Sequence, residues 1–395
     1  MSWSFVPLRR WVTCLDGGRI PLNAAERAEM FGAVPYWGAN GIVDFVSGSL
    51  FDERLVLLGE DGAPFFDKSK PVAFVSEGPV WPNNHIHVLR PNRDIDARFL
   101  TYALNVQDYA AVISGSTRDK LTQADMSGML LPAPPLASQR AIADFLDAEV
   151  SRIDEVHAAR SQQAELLRGR FWTLVGHLTK DGTPTALRRC FTRLADGPFG
   201  SAFSSDEYVD AGVAVVRLGN IGFAEYLHEA QAFVPSDFVV RFARHSIHAG
   251  DLLIAGLGDE SNHAGRACVA PDLGPAIVKG KCFTATIDDL VADAHFLALA
   301  MSSPQGAEVF RAAAQGSTRS MINLQLVKSA ILALPAVDDQ RSVARRMRYE
   351  RAKVEHVLNC LEQGVALLND RRQALITAAV TGQPNLAHSI AEEVS

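Results

Sequence analysis

In this 395-residue chain, Asn83-Asn84-His85-Ile86-His87 is the stretch that most resembles a catalytic or metal site. On a strand, His85 and His87 would share a face, as metal ligands can. No third ligand lies nearby in the sequence, so two uses remain. One is packing or capping; the other is contact with a nucleic-acid groove, because asparagine and histidine can donate to base edges and phosphates. Arg217 and Asn220 in VVRLGNIG leave the same choice between DNA contact and turn chemistry. LIAGLGDE (253–260) runs an apolar strand into GxG, but no Asn/Asp-Pro-Pro-aromatic tetrapeptide follows to hold a flipped base, so a strand-to-turn is expected. GPAIVKGKC (274–282) echoes a P-loop with the wrong glycine spacing and with cysteine where Ser or Thr should meet magnesium. Asp67-Lys68-Ser69-Lys70 lacks the acidic partner of a nuclease site and is expected to be a solvated loop. No catalytic residue and no metal site is expected.

The chemistry is sparse, but its setting is duplicated. GSTR stands at 115–118 and again at 316–319, and the match continues in register at an offset of 201. Pro134 falls on Pro335, Gln139-Arg140 on Gln340-Arg341, Glu149 on Glu350 and Leu166-Leu167 on Leu367-Leu368. Such a repeat governs the whole fold. GSTR suits either a phosphate clamp common to both copies or a structural turn, with Lys120 and Lys328 farther along each copy.

After each GSTR the apolar spacing becomes helical. Ile142, Leu146, Ile153, Val156, Leu167 and Leu174 match Val343, Met347, Val354, Val357, Leu368 and Leu375. Spacings of three, four and seven between charged residues predict two amphipathic helices, ending before Lys180-Asp181-Gly182-Thr183-Pro184 and Thr381-Gly382-Gln383-Pro384. A helix of about 40 residues is roughly 60 Å long and needs a partner for its stripe. The other copy is the expected partner, antiparallel, as a rod. Upstream, strands are expected at Leu55–Leu58, Val72–Val75 and Ile86–Leu89. Their counterparts are Asp251–Ile254, Ala267–Ala270 and Phe283–Ile287, with turns at Gly78-Pro79 and Gly274-Pro275. Gly38-Ala39-Asn40-Gly41 resembles Gly219-Asn220-Ile221-Gly222, which predicts an insertion in the second copy within Phe223–Ile247.

The net charge of −7 argues against a protein that simply coats nucleic acid, so DNA contact must come from local patches or partners. Five scattered cysteines without CxxC predict reduced packing residues. No run reaches the ~20 apolar residues of a membrane span. MSWSFVPLRRWVTCLDGG lacks the order of a signal peptide, so a cytoplasmic chain is expected.

LPAPPLASQRAIADFLDAEVSRID resembles the proline–glutamine–arginine entry and conserved-region helix of Type I restriction–modification specificity subunits. DGPFGSAFSSDEYVDAGVAVVRLGNIG and GPVWPNNHIHVL resemble parts of that family's target-recognition domains. The resemblance implies an α+β chain. Target-recognition domain 1 would span 1–137, a spacer helix 138–183, domain 2 184–338 and a second helix 339–383, with a disordered tail at 384–395. It implies a non-catalytic subunit that reads an asymmetric split site in double-stranded DNA and docks methyltransferase subunits and a restriction/translocase subunit, away from any membrane. The chain itself would bind no cofactor: S-adenosylmethionine would sit in the methyltransferase, ATP and Mg in the restriction subunit. Candidate DNA contacts are Asn40, Lys68, Lys70, Asn84, His85, Arg118 and Lys120 in the first domain. In the second they are Ser201, Ser204, Arg217, Asn220, Asn262, His263, Arg319 and Lys328. The apolar residues of the two stripes would form the helix and partner interface. The rival reading is a duplicated adaptor whose domains bind protein, and the acidic balance suits it.

Overall fold

The structure, a computed structural model, describes residues 3–113, 119–198, 205–228, 231–313 and 320–383. Candidate residues Arg118, Ser201, Ser204 and Arg319, and the tail 384–395, lie outside the described residues. The chain divides into two compact units, residues 1–161 with 361–395, and residues 162–360.

In the first unit the strands are β1 (Phe5–Pro7), β2 (Val12–Cys14), β3 (Phe31–Gly38), β4 (Gly41–Val46), β5 (Phe51–Asp52), β6 (Leu55–Gly59), β7 (Ala73–Ser76), β8 (Pro79–Pro82), β9 (Ile86–Pro91) and β10 (Leu130–Pro132). One sheet runs β2-β9-β6-β7, a second β4-β3-β8-β5, and β1 pairs with β10. β6 is buried along its whole length, as a short unbroken apolar run should be. Its alternate residues serve two cores. Leu55 and Leu57 pack with Val80, Ile86 and Val88. Val56 and Leu58 face Phe99 and Leu100 of the helix Ala97–Asn105, together with residues of both long helices.

The second unit repeats this plan with almost no shared sequence. Its strands are β11 (Thr183–Ala186), β12 (Phe191–Asp196), β13 (Val213–Val216), β14 (Phe233–Val234), β15 (Ser246–Ile247), β16 (Leu252–Ala255), β17 (Ala267–Val269), β18 (Ala276–Val278), β19 (Cys282–Ile287) and β20 (Ile331–Leu334). The orders are β12-β19-β16-β17, β14-β13-β18-β15 and β11-β20. Among the described residues one parallel pairing recurs in each unit, β3 with β8 and β13 with β18. Gly78 and Gly274, each before a proline and each at the entry to that parallel strand, have positive φ, +77° and +63°. That conformation is open to glycine and strained for other residues. The expected insertion has two parts: the two-residue link Ala39-Asn40 between β3 and β4 becomes residues 217–232, and the β14–β15 link 235–245 is also longer than its counterpart.

The long helices run Leu136–Thr179 and Val337–Thr381. Within the first unit, Ile142, Leu146 and Val150 near the start of one helix share a core with Leu375, Ile376, Ala379 and Val380 near the end of the other. Within the second unit, Phe171, Leu174 and Val175 pack with Val343, Met347 and Val354. Early residues of one helix meet late residues of the other in each unit, which is antiparallel pairing. Of the expected stripe, Ile153 is buried, and Leu167 and Leu368 are half-buried. Val156 and Val357 are corrections, exposed at 43% and 39%. At 3.6 residues per turn the seam passes through His157 and Leu358, both half-buried, and leaves the preceding valines off it.

The repeated glutamines explain how each domain meets its helix. Gln139 Oε1 accepts from the Asp96 N–H (2.9 Å), while Nε2 donates to the Asp94 and Pro134 carbonyls (3.2 and 2.9 Å). Gln340 repeats this with the Asp293 N–H (2.9 Å) and the Val291 and Pro335 carbonyls (3.3 and 2.9 Å). Asp96 and Asp293 are the N-caps of equivalent domain helices, so each glutamine ties a long helix to a cap.

Candidate nucleic-acid interface

Three segments converge in each domain: the turn after the central strand, the turn before the ninth or nineteenth strand, and the chain that follows GSTR. In the first domain the Glu60 N–H donates to the His85 carbonyl (2.9 Å) and the Leu121 N–H to the Glu60 carbonyl (2.8 Å), while Asp61 bridges Lys120. In the second, the Gly256 N–H donates to Lys281 (2.7 Å) and Ile322 to Gly256 (2.9 Å), while Leu257 bridges Met321. The backbone stitch is the same. The side chains it presents differ: His85, Asp61 and Lys120 in one copy, Lys281, Ser320 and Met321 in the other.

Under the first junction lies an ionic network. His87, 1% exposed, meets Asp16 Oδ2 through Nδ1 (2.6 Å) and the Leu121 carbonyl through Nε2 (2.9 Å). Arg19 Nη1 donates to Glu60 Oε2 (2.5 Å) and to the Ile86 carbonyl (2.9 Å), and Lys120 Nζ lies 3.1 Å from Glu60 Oε1. Burial alone would raise both carboxylates. Bonds from His87 and the Val88 N–H for Asp16, and from Arg19 and Lys120 for Glu60, outweigh it and hold both below their ordinary values. The network therefore ties β9, the turn after β6 and the chain beyond GSTR into one piece.

In the second domain a buried arginine does the tying. Arg266 Nε donates to the Ile221 carbonyl (2.8 Å), Nη2 to Leu218 (3.2 Å), and Nη1 to Leu257 and His263 (3.2 Å each). Its guanidinium spans the segment after β13 and the loop after β16, and holds the two in register. Asp259 accepts from the Ser261 and Asn262 N–H groups, so the acid after GxG closes a turn.

Residues 12–166 match the family described as the Type I restriction modification DNA specificity domain. Over 142 residues the chain is 33% identical to a type I restriction enzyme specificity subunit of Haemophilus influenzae, covering 36% of each. The EcoBI specificity subunit of Escherichia coli is 22% identical over 72% of this chain and 65% of its own length. The MjaVIII specificity subunit of Methanocaldococcus jannaschii is 17% identical over 97% and 93%. The chain is similar to Type I restriction enzyme specificity subunits, with the DNA specificity domain of that family matched over residues 12–166. It spans about a third of the Haemophilus relative and just under two thirds of the Escherichia coli one. In fold it is similar to a solved chain from work on complex assembly and conformational transition of the type I R-M system, with a TM-score of 0.68 at 15% identity, covering 96% of this chain and 98% of that one.

Within this fold the sequence-predicted residues separate. Asn40 is exposed at the β3–β4 turn, and Asn84 and His85 are exposed beside the first junction. His85 and His87 do not share a strand face, a correction to expectation: β9 starts at Ile86, leaving His85 on the turn and His87 buried. A second correction is that His87 does have other donor groups near it. Cys14 and Asp16 place theirs within 4.8 Å, brought from 71 residues away in the case of Asp16. Both ring nitrogens already face oxygen acceptors, and Arg19 and Lys120 supply the positive charge, so the cluster works as an ion-pair network. Lys70 pairs with Asp67 (3.2 Å), and Lys68 lines a groove of about 420 Å³ with Asn369, Asp370 and Gln373. Asn220 is 1% exposed, with Oδ1 accepting from the Arg217 N–H and Nδ2 donating to Leu227, which fits turn chemistry rather than DNA contact. Arg217 is half-buried beside it. Asn262 Nδ2 is held by Asp259, and burial lowers His263 below the usual histidine value while its Nδ1 meets the Ala264 carbonyl. Lys328 is exposed on the helix Leu324–Ser329. Lys281 and Arg266 were not among the sequence candidates. Lys281 was findable, since it precedes β19 as His85 precedes β9.

The network gives a pH prediction. Asp16 and Glu60 have folded values below the ordinary 3.8 and 4.5, so their stabilisation is complete above those values and is lost as pH falls through the lowered ones. Denaturant titrations from about pH 5 down to pH 2 should show wild-type stability falling more steeply than that of an Asp16→Asn/Glu60→Gln variant. Equal slopes would remove the network's stabilising role.

Proposed function

We propose that this chain is the DNA-sequence-reading subunit of a Type I restriction–modification complex and recognises an asymmetric bipartite site. The observation that carries the reading is the repeated junction: one backbone frame in both domains with different side chains on it. Phosphate contacts can be shared between two readers, whereas base contacts must differ if the half-sites differ. Reading two segments on one face of a duplex requires phasing near one helical turn, about 34 Å, and a pair of long helices suits that task. In this reading residues 1–137 and 184–338 are the target-recognition domains, 138–183 and 339–383 the spacer helices. The chain recruits methyltransferase and restriction subunits in the cytoplasm. It performs no catalysis, leaving S-adenosylmethionine to the first partner and ATP with Mg to the second.

Base-resolution methylation sequencing of the native host, with and without the gene, tests this. Loss of methylation at a split, asymmetric motif is the expected result. An unchanged methylome, with the partner methyltransferase shown to be expressed, would overturn it in favour of a protein-binding adaptor.

A further inference from the structure

The inserted segment after β13 stands where the first domain has only the two-residue link Ala39-Asn40, and its tip is fastened to the long helices of the second unit. Arg351, on the second long helix with its side chain 18% exposed, donates through Nη2 to the Phe223 carbonyl (2.7 Å) and through Nη1 to the Ala224 carbonyl (3.2 Å). Glu225 Oε2 lies 3.4 Å from Nη1. The guanidinium lies over Phe171 and Trp172 of the first long helix, 5.2 and 5.7 Å from the ring centroids. Ala224 adopts φ +55°, a left-handed conformation that costs an L-residue about 1 kcal/mol or more and persists only where its surroundings impose it. They do so here: its N–H donates to the Ala267 carbonyl (2.9 Å) and to Ser302 Oγ (3.1 Å), and its carbonyl is taken by Arg351.

The contact continues toward the junction. Phe223 packs edge-on to Trp172 (5.9 Å) and at 5.3 Å from His263, whose carbonyl is held by Arg266. His263 ends the loop whose Gly258 N–H donates to Ser320 beside the junction. Position 150 on the first long helix, the repeat's equivalent of 351, is a valine buried in the first domain's core. Among the described residues of the first domain, that position therefore supplies no such clamp.

We propose that Arg351 is a positioning residue for DNA recognition: through the Phe223–Ala224 tip it fixes the loop 257–263, and with it the second half-site reader, on the helix pair. Arginine is needed because two carbonyls and two ring faces must be met at once, and a planar fork meets them where lysine's single ammonium cannot. The proposal rests on the specificity reading above.

The test uses the assembled complex in its host. Wild type is first compared with the gene deletion; an unchanged methylome at that step would sink the specificity reading and not this one alone. Arg351→Lys, which keeps charge and stem, and Arg351→Ala are then scored by methylation sequencing for half-site letters and spacer length. The expected result is about tenfold more methylation at sites with altered second-half letters or a spacer changed by one base pair, with the first-half letters intact. A motif unchanged in letters and spacer, whether methylation stays at wild-type level or falls equally at all sites, would overturn the proposal and leave Arg351 a merely structural contact. Phe223→Ala, which removes the tip's ring contacts with Trp172 and His263 and leaves Arg351 in place, decides by the same criteria if both Arg351 variants fail to accumulate.

Discussion

Gln340→Ala should lower the unfolding free energy by about 3 kcal/mol, and Gln139→Ala should do much the same. Gln340 is fully buried and Gln139 nearly so. Each amide satisfies one N–H and two carbonyls, those of Asp293, Val291 and Pro335 in one unit and Asp96, Asp94 and Pro134 in the other. An unmade buried hydrogen bond costs about 1–3 kcal/mol per group, and water entering the small cavity offsets part of the sum. Glutamate should rescue neither position: it keeps the acceptor for the cap N–H but turns an oxygen toward two carbonyl oxygens. Denaturant melts of each variant measure this. A loss below about 1 kcal/mol for both alanines would show that the glutamine contacts are replaceable and that the domain–helix joint is held elsewhere.

The long helices were legible because forty residues of 3.6-period pattern, closed by glycine and proline, admit one reading. The central strands were legible for a related reason: LVLLG and LLIA are unbroken apolar runs buried along their whole length. Less could be seen where the signal is weak or lies between distant residues. β3 contains Pro35 and is partly exposed, and β14 and β15 are two residues each, so the second sheet of each domain has little periodicity to detect. The opening of the repeat was present in Leu8-Arg9-Arg10 and Leu187-Arg188-Arg189 but is only a few letters long. Both segments form the same 3₁₀ turn, with the leucine N–H donating to Met129 in one copy and Ala330 in the other. The valines at 156 and 357 were misplaced because steps of three and four drift from the true seam when taken without a fixed end. At the candidate site the exposed turn was legible and its support was not. His87 depends on Asp16, and Arg266 on carbonyls of two separate loops, and no local pattern encodes such pairings.

On the proposed DNA-reading function, alanine at Asn84 and His85 together should cost the assembled complex roughly a hundredfold in discrimination within the first half-site while leaving the second unchanged. These two side chains are exposed on a turn whose backbone is fixed by the Glu60–His85 hydrogen bond and by the network beneath it, so truncating them removes contacts without moving the frame. A good base contact is worth about 1–3 kcal/mol of discrimination, and two neighbouring ones approach that hundredfold together. Lys120→Ala should behave differently. Its ammonium is half exposed and held near the junction by Glu60, a placement suited to phosphate. Its loss should weaken binding evenly across sequences and reduce the slope of log affinity against log salt by about one. The measurement is binding of the assembled complex to duplexes carrying single base changes in each half, repeated over a salt series. Lys281→Ala, on the equivalent turn of the other domain, supplies the mirror case and should act on the second half alone. If the Asn84/His85 variant loses both halves in equal proportion, or loses neither, then the turn before β9 does not read bases, and the exposed β3–β4 turn carrying Asn40 becomes the place to look.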